Sequence, residues 1–342
     1  MRATIKDIAL RAGVSKTTVS FALNNPSRIS KETYERIMAI VRELGYYPNP
    51  LARTLTTKRL GALGLLLPQP IAEVMGNPHL CEIISGIGKE CDSHRISLTM
   101  LPPVQGKVIE AARRSFVDAI VTIGVGPEHE VVNFFHKHNI PFVTIDGQET
   151  EDTINVGIDD ESAAFALMNH ILELGHKHIA ILCVRRDFKS ISDINASIVL
   201  EKRLKGFSRA LEAYSLGLSH EGITVLETEG SLEGGKRAGL AVLKSAERPT
   251  AIVAMADIIA LGTYAAAQDL GIVIPEQLSV AGFDDIPQGS YAHPTLTTIH
   301  QPSTEKGQVA ASMALQLLDG KKVEHRRFSF RLEVKGSTAR VP

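Results

Sequence analysis

Gly230-Ser-Leu-Glu-Gly-Gly-Lys-Arg237 comes within one residue of a phosphate-cradling loop, in which Gly-x4-Gly-Lys must be followed by Ser or Thr. Arg237 stands where a hydroxyl would hold magnesium, so the stretch reads as a glycine-rich helix entry. Gly124-Val-Gly-Pro-Glu-His129 lacks the third glycine of a dinucleotide fingerprint and reads as a plain loop. His176-Lys-His178 offers two imidazoles at a helix-to-strand turn without a third ligand, which suits surface or capping residues better than a metal. Cys81, Cys91 and Cys183 are odd in number and isolated in apolar runs; they are expected to be small core residues. No Gly-x-Ser-x-Gly, His-Glu-x-x-His or paired-carboxylate pattern occurs. The chain is not expected to be an enzyme, and neither a cofactor nor a metal is expected.

A different chemistry sits near the start, in "AGVSKTTVSFALNN" (12–25). Residues 1–60 hold 11 Lys and Arg against 4 Asp and Glu, a net of +7, which leaves −8 for residues 61–342 of a chain whose total is −1. A basic segment on an acidic body suits a polyanion partner for that segment alone, or merely a solvated basic face. Thr4 followed by Asp7 is a capping pattern for a first helix, and Gly13 allows the left-handed turn that ends it. Ser15 then caps a second helix running to about Asn24, and Ser30 starts a third that closes before Gly45. In the second helix Val19, Ala22 and Leu23 face inward, which leaves Ser15, Lys16, Thr17, Ser20 and Phe21 outward. Short hydroxyls and a lysine at a helix N-terminus suit phosphate and base-edge contacts in a major groove. A three-helix interaction module is the competing reading. Beyond it Pro48 and Pro50 stop the third helix, and Pro50 can open a short one through Leu55 that needs a partner to fold.

From Gly61 onward, short apolar runs ("GALGLLLP", "ISLTML", "DAIVTIG", "PFVTID", "HIAILC", "GITVLE", "TAIVAMA", "LSVAGFDD") alternate with helical segments. Strand followed by helix, repeated in two sets, predicts an α/β domain of two similar lobes with parallel sheets behind an all-α helix-turn-helix headpiece. Ligands of such sheets bind at the carboxyl ends of the strands, here the cleft between lobes. The start, "MRATIKDIALRAG", has no uninterrupted apolar stretch, and no run of about 18 apolar residues occurs. A soluble, cytoplasmic protein with no membrane partner is expected.

"TIKDIALRAGVSKTTVSFALNNPSRISKETYERIMAIVRELGYYPNPLARTL" resembles the DNA-binding headpiece and hinge of the LacI/GalR family of bacterial transcriptional regulators. The likeness continues through "NIPFVTIDG", "LGHKHIAIL", "EKRLKGFSRAL", "ADIIALG" and "LSVAGFDDIPQGSYAHPTLTTIHQP" to the final "GSTA", which is similar to the family's effector domain, of the type I periplasmic-binding-protein fold. The resemblance implies a headpiece at 1–47, a hinge at 48–59 and an effector and dimerisation domain at 60–342. The lobes would be about 60–158 with 303–328, and 159–300 with 329–342. It places Thr4, Ser20, Asn24, Arg28, Ser30, Tyr46 and Asn49 where family members reach phosphates or the groove floor, with capping or turn formation as the competing role. Paired hinge helices would wedge a leucine into the minor groove through Ala52, Arg53 and Leu55. Phe21 departs from the arginine common at the end of the recognition helix, so that base is expected to be read by methyl contact or not at all.

In the cleft, the resemblance implies effector contacts at Arg203, Asp284, Asp146 and Asp257, the last also able to cap a helix, and at His79, which follows "NP" and is equally suited to a lobe surface. Ala256, Gly147 and Leu232 stand where relatives carry asparagine, arginine or a stacking aromatic, which weakens the case for an ordinary hexose. The implied function is a homodimeric repressor of a pseudo-palindromic operator, controlled by a sugar, sugar phosphate or nucleoside. A transporter's solute-binding protein and a sugar- or nucleotide-processing enzyme are the rivals.

Overall fold

A computed structural model describes residues 3–47, 59–105, 107–126, 129–184 and 198–341. The chain divides into two compact units, Met1–Leu60 and Gly61–Pro342.

The first unit is built from α1 (Ile5–Ala12), α2 (Lys16–Asn24) and α3 (Lys31–Glu43). Each starts at a hydroxyl cap: Thr4 and Asp7 exchange side-chain and backbone bonds in a capping box, Ser15 accepts from the Thr18 N–H and Ser30 from the Thr33 N–H. Gly13 ends α1 at φ 64°, the left-handed conformation that only glycine adopts without steric cost. Ile8, Val19, Ala22, Ile37 and Val41 meet in a core that fixes the turn between α1 and α2.

The second unit begins with β1 (Ala62–Leu66), α4 (Ile71–Met75), α5 (Pro78–His94), β2 (Ser97–Leu101), α6 (Val108–Arg113), β3 (Ala119–Ile123), α7 (Glu130–Lys137), β4 (Phe142–Ile145) and β5 (Asn155–Gly157). It continues through α8 (Asp160–Glu173), β6 (Ile179–Val184), α9 (Ile198–Ala213), β7 (Ile223–Thr228), α10 (Leu232–Leu243), β8 (Ala251–Ala254), α11 (Asp257–Asp269), β9 (Ser279–Ala281) and α12 (Pro287–Tyr291). Four elements return across the lobes: β10 (Thr298–His300), α13 (Ser303–Leu318), β11 (Arg326–Arg327) and β12 (Arg331–Glu333). The first lobe is a parallel sheet in the order β11-β5-β4-β3-β1-β2, the second a parallel sheet β7-β6-β8-β9, and β10 pairs antiparallel with β12.

The central strands of both sheets are buried on both faces, which is why they read as continuous apolar runs, whereas β2 and β7 at the sheet edges are partly exposed. Along β6, Ile179, Ile181 and Cys183 enter one core while Ala180 and Leu182 enter the other, as the two-residue period requires. Of the cysteines, Cys91 and Cys183 are core residues, whereas Cys81 is only half-buried, its thiol 3.5 Å from the Met75 carbonyl.

Glycines let helices touch backbone to backbone. A Cβ on Gly86 of α5 would lie 1.9 Å from the Thr304 carbonyl oxygen, and one on Gly307 of α13 would lie 2.1 Å from that of Ile83. Gly235 of α10 and Gly262 of α11 form a second reciprocal pair, each 2.3 Å in the same sense from a carbonyl of the other helix. Gly235 belongs to the stretch that resembles a phosphate loop, so helix packing accounts for it. Lys236 is paired with Asp269 at 2.7 Å, Arg237 with Glu229, and Ser231 caps α10. We expect Gly86→Ala to force α5 and α13 apart and to cost at least about 1–3 kcal/mol, measured as a lower urea midpoint of the second unit.

His176 departs from the surface or capping role expected of it. It is 1% exposed, its Nδ1 2.9 Å from the Thr250 hydroxyl and its Nε2 3.0 Å from the Ser279 hydroxyl and 2.9 Å from the Ala339 carbonyl. Burial lowers its pKa, and the ring ties the chain's last segment to the second sheet. Among the described residues no group of three or more His, Cys, Asp or Glu could hold a metal, and no helix is long and apolar enough to cross a membrane.

Candidate functional site

In the first unit, α2 carries no acidic residue in its first turn and exposes Lys16 and Thr17 there, with Ser20 and Phe21 half-buried further along. Exposed Arg28 lies over the Phe21 ring at 5.4 Å, so the aromatic is oriented by a cation on its face. Thr4, Ser15 and Ser30 are exposed and act as caps; their oxygens are already engaged with Asp7, Thr18 and Thr33. Tyr46 is half-buried against the core. Asn24 ends α2, but its side chain lies outside the described residues, as do Asn49, Ala52, Arg53, Leu55 and the whole expected hinge helix.

In the second unit, four of the five residues expected at the cleft meet in one buried cluster. Asp146 follows β4 at φ 55° and Asp284 follows β9 at φ 120°. Both positions disfavour residues with side chains, and the network over-determines them. Arg203 projects from α9 and is 6% exposed. Its Nε donates to Asp160 Oδ1 at 2.9 Å, its Nη1 donates to the Met255 carbonyl, its Nη2 lies 3.8 Å from Asp284, and its guanidinium stacks 3.5 Å from the Phe283 ring centre. Such a forked, stacked arrangement is one a lysine does not reproduce. His79, near the start of α5, shares a 2.9 Å hydrogen bond with the Ser303 hydroxyl. Burial, with Lys306 and Arg203 close by, depresses its pKa well below the usual histidine value, so its 3.9 Å approach to Asp284 is not an ion pair.

Sequence reasoning missed the residues that join these groups. Lys306, in the first turn of α13, is wholly buried and donates to Asp146 Oδ2 and to Gln301 Oε1, each at 2.6 Å. Gln301 Nε2 donates in turn to Asp284 Oδ1 at 2.7 Å. A continuous path thus runs from the end of β4 in one lobe, through Lys306 and Gln301, to the end of β9 in the other. Burial raises Asp160 and pushes Asp284 well above the usual carboxylate range, while Arg203 opposes both shifts. Lys306 had one legible signal: it shares a helix face with buried Ala310 and Met313.

Asp257 stands apart from this path. It is the first residue of α11 and fully buried, with Oδ1 accepting from the Thr298 hydroxyl at 2.6 Å and Oδ2 from the Ile286 N–H at 2.9 Å. Both oxygens are occupied within the chain, so the residue serves as a strut between α11 and the returning strand β10. Burial pushes its pKa up to about 7. The folded state therefore holds a proton that the unfolded chain has already lost above about pH 4, and stability falls as pH rises toward 7. Asp257→Asn removes this titration. The variant is expected to lose about 2 kcal/mol less than the parent between pH 5 and pH 7.5 in urea unfolding; an equal loss would place the proton elsewhere.

Comparison with known proteins follows the same division. Residues 4–49 match the model for bacterial regulatory proteins of the lacI family, and residues 168–338 match that of a periplasmic binding protein-like domain. An HTH-type transcriptional regulator of Mycobacterium tuberculosis is 30% identical over 92% of this chain and 91% of its own length. The chain belongs to the LacI family. The HTH-type transcriptional repressor PurR of Proteus mirabilis is also 30% identical, over 94% of this chain and 92% of its own. Among solved LacI-family structures, the Lac repressor bound to ONPG in its repressed state superposes with TM-score 0.81 at 26% identity, covering 99% of this chain and all of that one. A LacI-family regulator from Enterococcus faecium with bound ribose gives 0.69 at 27% identity over 82% of this chain and all of its own. The protein is accordingly a helix-turn-helix transcriptional regulator of the LacI family, and its relatives are regulators, not enzymes.

Proposed function

We propose that this LacI-family chain represses transcription as a homodimer on a pseudo-palindromic operator, and that a small molecule bound between the lobes of the second unit sets its affinity for DNA. The carboxylate-free N-terminus of α2, with Lys16 and Thr17 exposed, carries the reading, because it can approach phosphates and base edges without repulsion. Ser15, Ser20, Arg28 and Tyr46 would flank that contact, and Phe21 under Arg28 would meet a thymine methyl in place of an arginine fork on guanine. Arg203, Asp284, Asp146 and His79 would contact the effector, a sugar or a related polyhydroxylated molecule. By family resemblance the hinge around 48–57 is the element that both ligands bias.

Selection of the purified chain on random duplex DNA tests this reading. Retained sequences are expected to share an inverted repeat, with binding that weakens steeply with salt as Lys and Arg displace counterions; retention without a shared repeat contradicts it. On the selected duplex, Leu55→Ala is expected to weaken binding by about 2–3 kcal/mol, the scale of a lost minor-groove wedge, with the second unit's thermal unfolding unchanged. Unaltered affinity removes Leu55 from the contact.

A further inference from the structure

The chain passes from its first compact unit to its second between Leu60 and Gly61, and the first residues of the second unit are fastened at once. Strand β1 runs between β2 and β3, pairing Ala62 with Ser97 and Leu63 with Ala119. Gly61 already joins the ladder on the β2 side, its carbonyl accepting from the Ser97 N–H at 2.9 Å. On the β3 side the Ala62 carbonyl accepts from the Asp118 N–H at 2.8 Å, and the Ala62 N–H points the same way. Because β3 starts only at Ala119, the acceptor for that N–H is not a strand carbonyl but the carboxylate of half-buried Asp118. Its Oδ2 accepts from the Ala62 N–H at 3.2 Å and from the Gly61 N–H at 2.6 Å. Gly61 can turn its N–H to the same oxygen because it sits at φ 74°, the left-handed conformation open to glycine. A Cβ there would meet nothing within 4 Å, so the glycine answers a backbone requirement and not a packing one.

Two successive N–H groups on one charged oxygen make a stronger tie than two neutral hydrogen bonds. The tie holds the chain to β3, which pairs with β4, the strand that leads to Asp146. Without the carboxylate, Gly61 and Ala62 keep only their bonds to the Ser97 and Asp118 N–H groups, and the end of β1 frays more readily. Two frayed residues, at about 3.3 Å each, add about 7 Å of slack to the segment that joins the units. When two headpieces share one duplex, slack lowers the effective concentration at which the second meets its half-site after the first has bound. On arbitrary DNA it costs little, because phosphate contacts form in any register. We propose that Asp118 is a positioning residue for operator recognition: its carboxylate fixes where the chain leaves the second unit, so that the two headpieces of a dimer meet their half-sites in register. This role rests on the reading of the chain as a dimeric repressor.

The test compares the full chain with Asp118→Ala and Asp118→Asn on two duplexes of equal length, the one recovered by selection and a scrambled one. Asparagine keeps an acceptor at this position and alanine does not. Asp118→Ala is expected to lower the ratio of selected to scrambled affinity by roughly tenfold or more, with scrambled binding not weakened. Asp118→Asn is expected to keep the ratio within about threefold of the parent's. Loss of an acid by itself would strengthen both duplexes alike, and a merely structural role would lower the melting temperature without moving the ratio. If the alanine variant does not fold, Asp118→Leu, similar in shape and without an acceptor, takes its place. An unchanged ratio in a folded variant that lacks the acceptor overturns the proposal, and so does an asparagine variant that loses as much as the alanine one. Either result leaves the regulator reading in place. A parent chain that recovers no shared sequence overturns that reading, and the role of Asp118 falls with it.

Discussion

Arg203→Ala is expected to lower the stability of the second unit by about 3–5 kcal/mol, the scale for breaking a buried ion pair by removing one partner. Removing the guanidinium leaves Asp160 with neither oxygen satisfied, frees the Met255 carbonyl, and takes the nearest cation from Asp284. It also strips the stacked face of Phe283 at the base of the cluster. Arg203→Lys keeps the charge but cannot fork between Asp160 and the Met255 carbonyl, so it should recover only part of the loss. Urea unfolding of the three proteins measures this. A loss below about 1 kcal/mol for Arg203→Ala would show that the acids are not held by this side chain.

Lys306→Met is expected to be of similar size, about 3–5 kcal/mol, because it strands Asp146 with no donor on either oxygen and takes the Lys306 donor from Gln301 Oε1. Methionine conserves much of the volume, so the loss reports charge and hydrogen bonding more than a cavity. Asp146→Asn is the natural partner in a double-mutant cycle, since asparagine tolerates the positive φ of that position. With the buried acid gone, Lys306→Met should cost less, an interaction of about 2 kcal/mol. Simple additivity would mean that the 2.6 Å contact contributes nothing. Because Gln301 links Lys306 to Asp284, both variants should also weaken the response of operator binding to effector.

How far the sequence discloses the site depends on how local each interaction is. Thr4, Gly13, Ser15 and Ser30 act on neighbours within four residues, so their spacing alone marks the helix-turn-helix. The central strands of the parallel sheets are equally plain in the apolar runs, since burial of both faces leaves no polar alternation to misread. Arg203, Asp284, Asp146 and His79 were reached through family resemblance and not through spacing, and the structure gathers them from separate elements of the two lobes. Asp160, Gln301 and Lys306 were not reached. Lys306 meets Asp146 across 160 residues, and Asp160 sits beside a true helix cap, Asp159, which disguises it. The glycine-rich stretch around Gly235 reads as the helix entry it is, although the backbone contact that requires the glycine appears only in the tertiary fold. His176 is the departure: expected at the surface or as a cap, it is buried among hydrogen bonds to residues 74, 103 and 163 positions away, while His178 is exposed.

Coupling of DNA to a small molecule at the lobe junction of one chain is reciprocal by thermodynamic necessity. The most direct measurement takes the duplex recovered by selection and a sugar that stabilises the second unit. Each dissociation constant is determined in the absence and in saturating presence of the other ligand. The small molecule is expected to change duplex affinity by roughly 5- to 150-fold and the duplex to change small-molecule affinity by the same factor, with both changes lost in Arg203→Lys. Two affinities that ignore one another would contradict it.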